Sequence, residues 1–195
     1  MIPQYFAYIT IFTSIFAGYF YIRDTLLGKT KPNIVSWFIW FLAPNIAAIV
    51  SLSKGGGLAM LPIFMATFTP FAVICIALFK KNAVWKVGIL DYVCLALSLL
   101  AIVVWLFLEE GNLATAFAIL ADLIAFIPTF VKSWKSPDSE TLGPYFSGML
   151  NPVITVLTLT ALSFNTYGFA FYLFLGNFVE IIIVYFRRRY LSSRN

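Results

Sequence analysis

Seven apolar stretches, each close to 20 residues and separated by charged or Gly/Pro-rich breaks, constrain this chain more than any other feature. A helix that crosses a bilayer needs about 20 mostly apolar residues, because its backbone groups find no water to bond in the hydrocarbon. The stretches fall near 4–22, 33–52, 58–79, 87–108, 112–131, 143–163 and 167–186. Only 11% of the residues are charged, against about 25% in an average soluble domain, too few to coat a water-soluble globule. The expected fold is therefore an all-α integral membrane protein of seven helices. No basic residue precedes Arg23, so the first span reads as a retained helix, not a cleavable signal.

The basic residues set an orientation. Twelve of the thirteen Lys and Arg lie in the breaks after spans one, three and five or in the C-terminal tail, and only Lys54 lies on the other side. The positive-inside rule places the N-terminus outside and the C-terminus in the cytoplasm, in a cell membrane. The tail RRRYLSSR reads as a stop-transfer flank near anionic lipid, and the net charge of +5 calls for no nucleic-acid partner.

The inventory of reactive groups is short. The chain has no His, and Cys75 and Cys94 sit inside spans in no metal-ligand spacing, as small buried apolar residues would. Gly55-Gly56-Gly57 lacks the strand–helix context of a phosphate loop. No nucleophile motif is present, and span seven has no lysine to hold a retinal. The expectation is a non-enzyme without cofactor or metal.

Two stretches share a layout. Ile22–Asn45 and Ile127–Pro152 each run from a helix end, through a short loop, into a helix interrupted by proline. An offset of 108 residues sets Pro44 on Pro152, Trp37 on Tyr145 and Thr69 on Asn177. The reading is two three-helix units, residues 1–81 and 111–195, joined by a linker, 82–110, that carries the fourth span. An odd linker gives both units one orientation, a parallel repeat with its axis along the membrane normal, as in transporters that bind substrate between repeats.

With this layout the chain resembles the PQ-loop superfamily, which includes the SWEET sugar transporters, over nearly its whole length. Pro128-Thr129 stands where those families carry Pro-Gln, while the first unit has Ile22-Arg23. The resemblance implies hinge prolines at Pro44, Pro128 and Pro152. It also implies a central pocket with Asn177 on the third helix of its unit, Thr69 in the matching place, and aromatic residues on the second helices.

Helix rise gives a separate reason for a central site. Asp122 on span five lies about 15 Å from the outer surface, and Asn177, Thr69, Asn45 and Asn151 fall near the same level. A carboxylate facing lipid there costs roughly 2.5–3.5 kcal/mol, so a shared wet cavity explains the group at least cost. Each residue also has a local alternative. Asn45 and Asn151 could satisfy backbone freed by the adjacent prolines, Thr69 could bond its own helix, and Asp122 could bond a neighbouring helix as a neutral acid. Glu180, one turn further in, could pair with Arg23 or the Arg187 cluster.

The expected function is a transporter moving a small polar solute, uncharged or cationic, by alternating access through a cavity between the two units. Trp40 and Tyr145 would wall the solute, and Asn151 and Asn177 would bond it. Asp122 either carries a proton or only donates a hydrogen bond, and the absence of a second acid or His at its depth favours passive transport. The alternative is a receptor or assembly protein of the same fold, as the KDEL receptors are, although the outer breaks offer only Lys54, Glu109 and Glu110 to a ligand. One polypeptide holds both units, so no oligomer is required to complete the cavity.

Overall fold

The computed structural model describes residues 3–53, 65–80, 83–108, 110–158 and 164–194. Seven α-helices, and no strand among the described residues, account for the fold: α1 (Ile9–Leu26), α2 (Ile34–Ser53), α3 (Phe68–Phe79), α4 (Ile89–Leu106), α5 (Gly111–Lys135), α6 (Gly143–Thr158) and α7 (Phe164–Ser192). A 3-10 turn, Gln4–Tyr8, leads into α1, and another, Pro137–Ser139, joins α5 to α6. The start of the expected third span, with Lys54 and the three glycines, and Glu109 lie outside the described residues. Three helical stretches, Ile89–Leu106, Asn112–Lys135 and Tyr167–Ser192, are long and apolar enough to cross a membrane.

The distribution of side chains is inverted relative to a soluble protein. Phe12, Phe79, Ile89 and Phe107 are 75–92% exposed, while Thr10, Ser36, Ser98, Asp122, Thr129 and Glu180 are buried. An apolar exterior with the polar groups turned inward suits a membrane-associated helical protein, since hydrocarbon removes the penalty on the first and enforces the second.

Local chemistry sets the helix ends. Gly28 has φ of +74°, a left-handed conformation that glycine adopts without a Cβ penalty, and it ends α1 with its N–H bonded to the Thr25 carbonyl. Asn33 caps α2 by accepting from the Val35 N–H at 3.1 Å. Glu110 caps α5 by accepting from the N–H groups of Leu113 and Asn112, and these bonds hold its carboxyl below the ordinary value.

The helices alternate in direction. Lys80, after α3, donates to the Leu26 carbonyl at the end of α1, and the Trp85 N–H, before α4, donates to the Pro32 carbonyl before α2. Lys31 and Ser139, before α2 and α6, are joined backbone to backbone at 2.9 Å, and Arg188 on α7 reaches the Pro137 carbonyl. The ends of α1, α3, α5 and α7 and the starts of α2, α4 and α6 therefore share one basic end. α3 packs against both α1 and α2, and α7 packs against both α5 and α6. Across the middle, α1 packs on α6 and α2 packs on α5.

Serines draw the helices together where α5 carries small residues. Ala121 and Ala125 are fully buried, and their carbonyls accept from Ser98 on α4 at 2.9 Å and Ser36 on α2 at 2.5 Å. Thr129 donates to the same Ser36 hydroxyl at 2.8 Å. Small residues allow this close approach, and each bond has no water to compete with it.

Candidate functional site

Aromatic side chains from five helices meet in the middle of the bundle. Tyr21 on α1, Trp37 on α2, Val73 on α3, Phe126 on α5 and Tyr145 on α6 form one buried cluster, with Trp40 and Tyr172 packed against it. Ring centroids lie 4.6 Å apart for Tyr21 and Trp37, 4.6 Å for Trp40 and Phe126, and 6.3 Å for Trp40 and Tyr145. The Trp40 indole nitrogen is buried without a hydrogen-bond partner among the described residues, while the buried Tyr21 hydroxyl has Trp37 and Tyr145 as its hydrogen-bonding neighbours. A buried donor left unpaired costs about 1–3 kcal/mol, so the Trp40 indole is the position in this cluster where a further acceptor would be favoured most.

The basic end closes over this cluster. Beyond the Lys31–Ser139 backbone bond, the hydroxyls of Thr30 and Thr141 bond each other, and Thr141 donates to Asp24 at 2.9 Å. Lys132 donates to the Lys31 carbonyl at 3.2 Å. Burial opposes ionisation of Asp24, but hydrogen bonds from Arg23 and Thr141 and the charges of Arg23 and Lys29 hold its carboxyl below the ordinary value. The loops before α2 and α6 are thus zipped to each other across the bundle.

Three charges are sealed beneath the zip. Lys132 forms an ion pair with Glu140, and both side chains are fully buried. Tyr145 donates to Glu140 at 3.0 Å, which ties the charge pair to the aromatic cluster. Glu180 on α7 accepts from Ser133, while its second oxygen is buried with no hydrogen-bond partner among the described residues. One lysine thus faces two carboxylates. The sequence placed Lys132 among the basic residues of the inner breaks and gave Glu140 no role, since their pairing joins the last turns of α5 to the segment after Pro137–Ser139 and leaves no spacing signal. Glu180 meets neither Arg23, which bonds Asp24, nor Arg187, which bonds the Trp134 carbonyl and lies over the Trp134 ring. Asp91, expected to meet solvent or a lysine, is buried and bonded by Asn33 at 2.7 Å and by the Gly88 N–H at 2.5 Å.

The expected site residues divide. Trp40 and Tyr145 meet edge to face in the aromatic cluster. Asp122 is buried and accepts from Tyr172 at 2.9 Å, joining α5 to α7 beside Phe126. Asn151 lies in the seam between α1 and α6, accepting from Thr13 at 2.7 Å and donating to Ser14 at 3.0 Å. Thr69 sits over Gly18 of α1, where a Cβ would come within 2.3 Å of its hydroxyl oxygen. Asn45 donates to the Phe41 carbonyl on its own helix, one residue past the Trp40 carbonyl that Pro44 frees.

Asn177 does what adjacency in sequence had suggested for Asn151. Pro152 has no N–H, which frees the Gly148 carbonyl four residues earlier. Asn177 donates to that carbonyl across the α6/α7 contact at 3.3 Å, and to its own Leu173 carbonyl at 2.7 Å. Gly148 permits the approach, since a Cβ there would lie 2.5–2.8 Å from three atoms of the Asn177 amide. Pro44, Pro128 and Pro152 all lie inside helices that continue through them.

Comparison of the chain with protein-family models, with curated proteins and with solved structures found no match to any of them.

Proposed function

We propose that this protein carries a small polar solute across a membrane by alternating access, with the aromatic cluster as the solute site and the zipped loops as its cytoplasmic gate. The observation that carries the reading is the unpaired indole donor of Trp40 in a buried cluster of aromatic and hydroxyl groups beneath a hydrogen-bonded closure. A permanently closed core would gain by filling position 40 with Phe or Leu, which leave nothing unsatisfied.

The packing supports two related halves. The third helix lies between the other two in each of α1–α3 and α5–α7, and the α1/α6 contact is the counterpart of the α2/α5 contact. In this reading the PQ-loop and SWEET-like arrangement applies, α4 is the linker, and the basic end faces the cytoplasm. The Trp40 donor suits a solute with hydrogen-bond acceptors, such as a sugar or an amino acid.

The test is uptake into proteoliposomes loaded against panels of sugars, amino acids and vitamins. Trp40→Phe keeps a ring and removes the indole N–H. It should lower flux of the transported solute about tenfold, the worth of one hydrogen bond of about 1.4 kcal/mol, with folding retained. Absence of flux for every solute, together with one protein partner bound stably, would favour the receptor reading instead.

A further inference from the structure

A cavity lies apart from the aromatic cluster, at the basic end between the segment before α4 and the last turns of α5. Its volume is about 610 Å³. Lys31, Lys86 and Lys135 stand on its rim, all exposed and without an ion-pair partner among the described residues. The other charges that line it are committed elsewhere: Lys132 to Glu140, and Asp91 to Asn33 and the Gly88 N–H. The cavity therefore presents net positive charge, the three lysines outweighing the one carboxylate of Asp91.

Its remaining walls are apolar. Ile89, Leu90 and Val131 line it together with Trp85, and Ile89 begins an exposed stripe that continues through Val93, Leu97 and Leu100 at helical spacing. Lysines above, an indole at the boundary and an apolar track leading away match a molecule with an anionic head and hydrocarbon tails. A soluble anion would use the lysines and leave the track unexplained.

We propose that this cleft binds an anionic phospholipid, with the phosphate among Lys31, Lys86 and Lys135 and the acyl chains along the α4 stripe. A lipid so placed touches the segment whose Trp85 N–H holds the Pro32 carbonyl, and so braces the start of α2.

The test is native mass spectrometry of the purified full chain in neutral detergent. The added lipids are phosphatidylglycerol and phosphatidylcholine of matched chains, in equal amounts. One phosphatidylglycerol should be retained at least tenfold over phosphatidylcholine. The triple variant Lys31→Gln/Lys86→Gln/Lys135→Gln should lose that preference, while Lys29→Gln/Lys80→Gln/Arg194→Gln, with the same charge change elsewhere, should keep it. A single Lys86→Glu should shift retention in the same direction as the first triple variant. Equal retention of both lipids, equal loss in the two triple variants, or full displacement by inorganic phosphate at matched concentration would each overturn the proposal.

Discussion

Gly148→Ala and Asn177→Ala together probe the contact that holds α6 to α7. A methyl at 148 would sit 2.5 Å from the Asn177 Oδ1 and 2.8 Å from its Cγ and Nδ2. The amide is already bonded to Leu173 and Gly148, so it cannot turn away without losing both bonds. Overpacking of this kind costs about 1–3 kcal/mol, and the lost interhelical bond adds about 0.6 kcal/mol, for a total of about 2–4 kcal/mol. Asn177→Ala alone leaves the Gly148 carbonyl unpaired, at about 1–3 kcal/mol. The double variant should cost less than the sum of the two by about 1–3 kcal/mol, because the truncated side chain makes room for the methyl. A second cycle isolates the cap: Pro152→Ala returns an N–H to the Gly148 carbonyl, so Asn177→Ala should then cost at least 1 kcal/mol less, about the worth of one hydrogen bond. Equilibrium unfolding in mixed detergent micelles titrated with sodium dodecyl sulfate, followed by far-UV circular dichroism, measures all of these. Strict additivity of Gly148→Ala with Asn177→Ala, and an unchanged cost of Asn177→Ala beside Pro152→Ala, would refute the capping account.

Other perturbations reach the remaining contacts. Lys132→Ala strands two buried carboxylates and should cost about 3–5 kcal/mol in the same unfolding assay, whereas Glu180→Gln removes an uncompensated charge and should be neutral or stabilising. Ser36→Ala removes the bonds to Ala125 and Thr129 and should lower stability by about 1–3 kcal/mol, with Ser36→Thr recovering part of it. The Asp24 carboxyl is held below its ordinary value, so its contribution to the loop zip is present above that value and is lost as pH falls through the lowered one. Hydrogen exchange at the Lys31 amide, corrected for its intrinsic rate, should therefore show protection at pH 6 that declines below about pH 4. Protection that persists unchanged to pH 2 would exclude Asp24 as a holder of the gate.

The helical fold and the membrane character were legible because hydrophobicity in stretches of bilayer length is a property of the sequence itself. Two residues that the repeat offset aligns, Trp37 and Tyr145, share one buried cluster. Depth along a helix was less informative, since residues at one level can face different seams. Asn151 faces α1, Asn177 faces the Gly148 carbonyl, and Asn45 folds back on its own helix. The proline that explains Asn177 is on another helix, so inspecting its sequence neighbours could not reveal it. The charges at the basic end gave only an orientation in the sequence, yet Lys132 and Glu140 are buried, and Arg188 grips the carbonyls of Pro137 and Glu140. Tertiary pairing decided those side chains, and spacing along the chain carries no record of it.

The central claim is that the zipped loops are a gate that must open for solute to pass. The bonded pair Thr30 and Thr141 allows a direct test. Thr30→Cys/Thr141→Cys, built on Cys75→Ser/Cys94→Ser, should form a disulfide on oxidation in proteoliposomes. Flux of the transported solute should stop when the bond forms and return on reduction, with neither single-cysteine variant affected. Flux that continues unchanged through a fully formed cross-link would contradict the account.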